Sequence, residues 1–183
     1  MSAVLKPAES STAATVADRL ADFTLTFNLA SVPDAVLQHA RLCILDAGGI
    51  ALASGTFDFA SAAASGIQAL ADSEGDYPVI GHKQTLPLRD AVLLNCSLVH
   101  GRDYDDTHAG SVVHCTASAW PLALGAGLRA RASGARARAA YVLAVECDAR
   151  IGKLAEGRFQ QRGHHPTGLV GTFGATLAAG YLS

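Results

Sequence analysis

Residues 87–118 read PLRDAVLLNCSLVHGRDYDDTHAGSVVHCTAS, and this stretch decides how the chain folds around its polar residues. Apolar side chains recur at helical spacing in its first half, which predicts a helix from Pro87 to Thr107. Gly110 interrupts the pattern, and Thr116 is a suitable cap for the next helix. The stretch therefore predicts two helices joined by a short loop, with the polar segment 100–114 at their junction.

The polar segment HGRDYDDTHAGSVVH carries the candidate chemistry. On the predicted helix His100, Asp103 and Thr107 share one face, because they are three and four residues apart. Asp105 and Asp106 point elsewhere in this arrangement, and we interpret them as structural neighbours. A buried carboxylate on the shared face needs a hydrogen-bonding partner or a ligand, so this face is a candidate binding site.

His114 lies beyond the predicted loop, which returns it to the neighbourhood of the carboxylates. An imidazole there is a candidate general acid or base, because histidine changes its charge near neutral pH. The DDTH run taken alone is more typical of a solvated turn between helices than of a site. Its position inside a largely apolar sequence favours a small-molecule site over that alternative.

Residues 160–168 read QQRGHHPTG and form a second polar segment. Gly163 permits close backbone approach, and His165-Pro166-Thr167 leads directly into a predicted helix. Free amides and the helix dipole make such an N-terminus suitable for an anion. The adjacent rings of His164 and His165 point in different directions and have no third ligand at metal spacing, so no metal is predicted.

The composition is that of an apolar, folded domain. Half of the 183 residues are hydrophobic and 16% are charged, which excludes disorder for the bulk of the chain. The net charge of −2 predicts no nucleic-acid partner and no attraction to a membrane surface. The four cysteines fit no disulfide framework and no zinc spacing, which favours free thiols and a cytoplasmic location.

The pattern along the chain predicts an all-α, multi-helix bundle-like domain over residues 15–183, preceded by a disordered leader over residues 1–14. Ser31 is predicted to cap a long helix. One short extended element is expected at Tyr77–Ile80. Residues 166–183 are uncharged and about as long as a membrane span, but their small side chains predict a packed helix.

Five stretches in chain order form a more specific pattern. They are Leu45-Asp46-Ala47-Gly48-Gly49, Arg89-Asp90-Ala91 with Asn95, residues 100–108, Glu146 with Arg150-Ile151-Gly152, and residues 162–168. Together they cover the chain from about Val16 to its end. This pattern resembles the MmgE/PrpD family, which includes 2-methylcitrate dehydratase, cis-aconitate decarboxylase and relatives of iminodisuccinate epimerase.

The resemblance implies a large all-helical domain with a smaller α+β lid, assembled as a homodimer. It implies no metal and no organic cofactor. The implied substrates are small di- or tricarboxylates, which lose a proton next to a carboxylate and then lose water, lose carbon dioxide or are reprotonated. The lid, a catalytic lysine and the return helices would follow Ser183, so a complementary chain that carries the lid is an alternative partner.

The resemblance also assigns the site by matching positions. The predicted catalytic residues are Asp103, Thr107, His114 and His165, and the predicted substrate-binding residues are His100, His164 and Thr167. Two departures concern local geometry. The chain has His114-Cys115-Thr116 where the family has His-Pro-Ser, and Asn95-Cys96 where the family has Asn-Gly.

Three hypotheses for the function follow. The first is a cofactor-independent lyase resembling 2-methylcitrate dehydratase, with a decarboxylase or epimerase of the same family as a variant. The second is a non-catalytic remnant that dimerises or binds a carboxylate. The third is a metal-binding hydrolase that uses His108, His114 and His165.

Overall fold

The computed structural model describes residues 14–183, and within this range the chain forms eight α-helices and one small sheet. The elements are α1 (Val16–Thr26), α2 (Asp34–Ser54), α3 (Asp58–Leu70), β1 (Tyr77–Pro78), β2 (Thr85–Leu86), α4 (Leu88–His100), α5 (Cys115–Arg129), α6 (Gly134–Leu154), α7 (Arg158–Gln161) and α8 (Pro166–Leu182). The predicted all-α class is confirmed. The predicted leader lies outside the described residues, apart from Ala14.

The first two helices begin in different ways. Thr15 caps α1 with a capping box, in which Thr15 and Asp18 bond each other's backbone amides. The predicted cap of α2 is wrong, because Pro33 occupies that position. Ser31 instead ends a short 3-10 turn that Asn28 caps, and its hydroxyl donates to the Asn28 carbonyl.

The predicted extended element forms one strand of a two-stranded antiparallel sheet. Tyr77 pairs with Leu86 and Pro78 pairs with Thr85, and the second strand was not predicted. Asn95 on α4 attaches β1 to the helices, since its Oδ1 accepts from the Ile80 amide at 2.8 Å and its Nδ2 donates to the Pro78 carbonyl at 3.0 Å. Asn95 therefore has a structural role.

The centre of the domain is the packing of α8 against α5 and α6. Small residues on α8 allow this packing. A Cβ at Gly174 would lie 2.5 Å from Asp148 Oδ1 and 2.6 Å from the Ala144 carbonyl oxygen, and one at Gly171 would lie 2.7 Å from Ser118 Oγ. The prediction that the C-terminal segment is a packed helix of small residues is confirmed.

The long helix α2 is apolar yet mostly exposed. Leu42, Leu45 and Leu52 are 63%, 73% and 56% exposed, while Ala47 and Ala51 on the opposite side are buried. Among the described helices α2 is the one whose length and composition would let it cross a bilayer, and 28% of that apolar stretch is buried inside the domain. One such helix is weak evidence for a membrane span, because buried core helices and N-terminal signal sequences meet the same criteria of length and composition.

Candidate active site

The helix that leads into the site is shorter than predicted. α4 ends at His100, and Gly101 follows directly, where a Cβ would collide with the ring of Phe59. Asp103 has a φ of 53°, which a right-handed helix cannot contain. The predictions that the helix reaches Thr107 and that its residues share one helical face are therefore wrong.

A tight turn in residues 108–113 closes the loop after α4. His108 donates its amide proton to the Val113 carbonyl at 2.9 Å and accepts from the amides of Ser111 and Val112. Its ring nitrogen lies 2.8 Å from Ser111 Oγ. A Cβ at Gly152 on α6 would lie 2.7 Å from Ser111 Cβ, so the turn rests directly on that helix. His108 is thus a turn-forming residue, which removes one ligand from the metal-hydrolase hypothesis.

The start of α5 also differs from the prediction that Thr116 is its cap. His114 is the N-cap, and Thr116 is the second helical residue. The Thr116 amide donates to Asp106 Oδ1 at 3.2 Å, and its buried hydroxyl lies 2.8 Å from Tyr141 Oη. Burial raises the pKa of Asp106. Asp106 is a helix-capping carboxylate, as its structural interpretation implied.

Three imidazoles meet where three helices end. His100 is the last residue of α4, while His114 and His165 are the N-caps of α5 and α8. The ring centroids are 4.8 Å apart for His100 and His114, 5.4 Å for His100 and His165, and 6.0 Å for His114 and His165. Nε2 of His100 lies 3.3 Å from Nε2 of His165. The two polar segments of the sequence therefore form one cluster.

A hydrogen bond from a backbone amide to a side-chain hydroxyl joins the two helix N-termini. The amide of His114 donates to Thr167 Oγ1 at 3.0 Å, and Thr167 is buried. The amides of Thr167 and Gly168 have no acceptor among the described residues. These free donors lie at the positive end of the α8 dipole, beside the ring of His165.

Asp105 lies at the centre of the cluster. Its side chain is 1% exposed, and its Oδ1 is 3.1 Å from Nδ1 of His100 and 3.3 Å from Nδ1 of His114. Its Oδ2 is buried without a hydrogen-bond partner in the described residues. The hydrogen bond from His100 to Asp105 raises the pKa of that imidazole, against the opposing effect of burial. The interpretation that Asp105 points away from the site is wrong.

Asp103 and Thr107 reach His114 from the loop. Oδ1 of Asp103 lies 3.4 Å from Nε2 of His114, and this carboxylate is 79% exposed. Oγ1 of Thr107 lies 3.5 Å from Nδ1 of the same ring. His164 is exposed, and its backbone amide donates to the Phe159 carbonyl. Its ring is not among the imidazoles that contact one another in the described residues. The structure thus brings together the four predicted catalytic residues and His100, and leaves His164 outside.

His100, Asp105 and His114 also form the one group in residues 14–183 that has the composition of a metal site. One ligand atom from each lies within 4.8 Å of the others, and two imidazoles with a carboxylate suit zinc or iron(II). Direct contacts between the ring nitrogens and Asp105 Oδ1 already occupy these atoms. The absence of a metal stays a prediction from the sequence.

Neither of two open cavities in the described chain includes the imidazole cluster. One, of about 250 Å³, is lined by Thr107 together with His39, Cys43 and Tyr141. The other, of about 600 Å³, is lined by the ends of α5 and α8 and by Leu88. Burial raises the pKa of the Cys96 and Cys147 thiols to about 12, so neither is a nucleophile at neutral pH. The imidazole cluster remains the candidate site.

The fold and the site define a class: an all-helical domain with an acid–base cluster at a junction of helix ends. The chain belongs to the MmgE/PrpD family, because the model of the MmgE/PrpD N-terminal domain matches residues 18–183. The family resemblance of the sequence is thereby confirmed. A search of curated proteins gives no match to the chain.

Asp105 is the site residue that the sequence analysis missed. The missed signal is Gly101, directly after the last apolar turn of α4, since glycine commonly ends helices. Ending the helix there removes the helical spacing that placed Asp105 on the wrong face. The loop conformation that brings Asp105 inward depends on distant contacts, and no local pattern predicts it.

Proposed function

We propose that this chain carries the acid–base centre of a cofactor-independent lyase that acts on a small di- or tricarboxylate. Dehydration, as in 2-methylcitrate dehydratase, is the first candidate reaction, with decarboxylation or epimerisation as variants. The observation that carries the proposal is the meeting of three imidazoles beside the free N-terminus of α8. Imidazoles can transfer protons near neutral pH, and free amides can bind a carboxylate.

His114 is the proposed base. It is held on both sides, by Thr107 and Asp105 at Nδ1 and by Asp103 at Nε2. In a dehydration it takes a proton from the carbon next to a substrate carboxylate. The electrons of that C–H bond form a C=C bond, and the hydroxyl on the adjacent carbon leaves as water after receiving a proton. His165 is the proposed donor of that proton.

The N-terminus of α8 is the proposed position of one substrate carboxylate. The free amides of Thr167 and Gly168 offer hydrogen bonds there, and the helix dipole favours negative charge. His100, whose pKa is raised by Asp105, adds positive charge when protonated. Substrate binding by Thr167 and His164 stays a prediction. The hydroxyl of Thr167 already accepts a hydrogen bond from a backbone amide, and the side chain of His164 lies outside the cluster.

The charges of the site support a role for a partner. Asp103, Asp105 and Asp106 lie in or next to the cluster, so an anionic substrate needs more cations than the imidazoles supply. We therefore extend the proposal to a homodimer or a complementary chain carrying a lid, either of which would add basic side chains above the site.

An activity assay tests the proposal. The chain is incubated with 2-methylcitrate, cis-aconitate and iminodisuccinate, alone and with a lid-bearing segment of a family member added. We expect turnover that His114→Ala lowers by at least about 100-fold, the usual loss for a general base. Arg41→Ala, at an exposed residue of α2 that lines neither cavity, is the control and keeps full activity.

A binding measurement separates the two leading hypotheses. Tricarballylate, an unreactive tricarboxylate, is titrated into the chain by calorimetry. Binding that is lost in His165→Ala, without turnover of any of the three substrates, would favour the non-catalytic carboxylate-binding domain. If the chain shows no turnover and no binding of tricarballylate, both hypotheses are overturned.

A further inference from the structure

Two carboxylates of the same motif approach His114, but they differ in how firmly they are held. The side chain of Asp103 is 79% exposed, so water can hydrate its carboxylate, whereas the side chain of Asp105 is 1% exposed. A buried carboxylate is costly unless N–H or O–H groups donate to it. For Asp105 the described residues offer one hydrogen bond, from Nδ1 of His100, and a second contact at 3.3 Å from Nδ1 of His114, which also lies 3.5 Å from Thr107 Oγ1.

The need of Asp105 for donors favours a proton on Nδ1 of both rings. A ring nitrogen without a proton would point its lone pair at a buried anion, whereas Nδ1–H satisfies Asp105. In a neutral imidazole, a proton on Nδ1 leaves Nε2 as the basic nitrogen. Nε2 of His114 faces the exposed Asp103, and Nε2 of His100 faces His165.

We propose that Asp105 is the positioning residue of this site, which holds His100 and His114 as Nδ1–H tautomers and presents Nε2 of His114 to the substrate. The inference rests on the proposed acid–base function. Through His100, the same carboxylate also orients His165, whose Nε2 lies 3.3 Å from Nε2 of His100. Asp105 thus acts on the proposed base directly and on the proposed acid through one intervening ring, without touching the substrate.

Asp106 provides the matched control for this role. It is the next residue in the chain and a partly buried carboxylate. Its Oδ1 accepts from the amide of Thr116, so it has a different partner. Asparagine retains an acceptor oxygen for that amide, so Asp106→Asn removes a charge beside the cluster and leaves the imidazole contacts in place.

The test reads the tautomers directly. Long-range ¹H–¹⁵N correlation spectra of the labelled chain, recorded at a pH where the imidazoles are neutral, distinguish Nδ1–H from Nε2–H. In the wild-type chain we expect Nδ1–H to exceed Nε2–H by more than about tenfold for both rings, since a hydrogen bond to a charged group has that effect. In Asp105→Asn this ratio falls at least about fivefold, and in Asp106→Asn it stays at the wild-type value.

The outcomes separate this inference from the proposed function, because no substrate is present. Nε2–H tautomers in the wild-type chain would overturn the inference even if Asp105→Asn does not fold. Unchanged tautomers in a folded Asp105→Asn variant would also overturn the inference. The proposed function could still hold in that case, because a substrate assay tests it separately. A stoichiometric transition metal bound to Nδ1 of the two rings in the purified chain would also overturn the inference. If turnover exists, Asp105→Asn lowers kcat and shifts the pH profile with little change in KM.

Discussion

The helices α2 and α8 are both apolar, but α8 is packed inside the domain and α2 lies largely exposed on its surface. α8 is packed against α5 and α6, and α2 exposes Leu42, Leu45 and Leu52. The glycines explain the difference. A Cβ at Gly171 or Gly174 would collide with a neighbouring helix, whereas Gly48 and Gly49 of α2 have open space within 4 Å. Apolar composition therefore does not determine whether a helix lies at the centre of the domain. Close packing at small residues determines it.

The exposed side of α2 has a regular pattern. Gln38, Leu42, Leu45, Gly49 and Leu52 are separated by four, three, four and three residues, the spacing of helices that pack along one another. Apolar patches of this kind mark interaction surfaces. The contrast between α2 and α8 gives four predictions, beginning with the largest effect on the free energy of unfolding.

Gly174→Ala breaks the packing of α8. The new Cβ would lie 2.5 Å from Asp148 Oδ1 and 2.6 Å from a backbone oxygen. We expect the free energy of unfolding to fall by about 3 kcal/mol, because a rigid backbone contact cannot move aside and the bond from the Gly174 amide to Asp148 is strained. Urea denaturation followed by circular dichroism measures this loss, and a fall below about 0.5 kcal/mol would contradict the packing.

Asp148→Asn tests the contact between Asp148 and Gly174 through the pH dependence of the free energy of unfolding. Burial raises the pKa of Asp148 to about 7, and its Oδ2 has no partner in the described chain. The folded state then holds the proton more tightly than the unfolded chain, so wild-type stability falls as the pH rises from about 4 to 7. The asparagine variant lacks this loss. It should be more stable than wild type by about 1–2 kcal/mol at pH 8, with a smaller difference at pH 5. Equal differences at both pH values would argue against a raised pKa.

Gly49→Ala is the counterpart of Gly174→Ala on the exposed helix. No atom lies within 4 Å of the added Cβ, and alanine favours the helix over glycine. The free energy of unfolding should rise by about 0.5–1 kcal/mol in the same urea measurement. A clear loss of stability would mean that the α2 face is covered in solution.

The double variant Leu45→Gln/Leu52→Gln has the smallest effect on folding. Both side chains are mostly exposed, so the stability of the monomer, measured at a concentration too low for association, should change by less than about 0.5 kcal/mol. If α2 is the surface on which two copies associate, sedimentation velocity will show a dimer for the wild-type chain and a monomer for the variant. Leu70→Gln on α3, at a leucine 77% exposed, is the control that leaves association unchanged. An unchanged dimer in the α2 variant would exclude this surface.

Periodicity and turn residues were sufficient to predict most of the fold. The apolar spacing gave the helices, and Pro166 marked the start of α8. The predictions that Ser31 and Thr116 are helix caps were wrong. A hydroxyl residue can cap a helix, but here Asn28 and Asp106 accept from the nearby backbone amides instead. Local rules identify candidate caps, while the competition between them depends on the surrounding structure.

The site was predicted in its residue types but not in its geometry. His114 and His165 were identified from motifs, and the structure places them together. Asp105 was assigned to the wrong face because the helix was extended beyond Gly101. The contacts that shape the loop come from Phe59 and Gly152, far away in sequence, and no pattern inside residues 100–114 contains them.

The hydrogen bond between His114 and Thr167 joins residues 53 positions apart, and the contact between His100 and His165 joins residues 65 positions apart. The cluster therefore exists only after long loops have closed, each at an entropic cost of a few kcal/mol. A carboxylate that binds the assembled histidines has no comparable site in the unfolded chain. Its binding free energy adds to the stability of the whole domain, so a rise in melting temperature with ligand concentration reports on the assembly of the site.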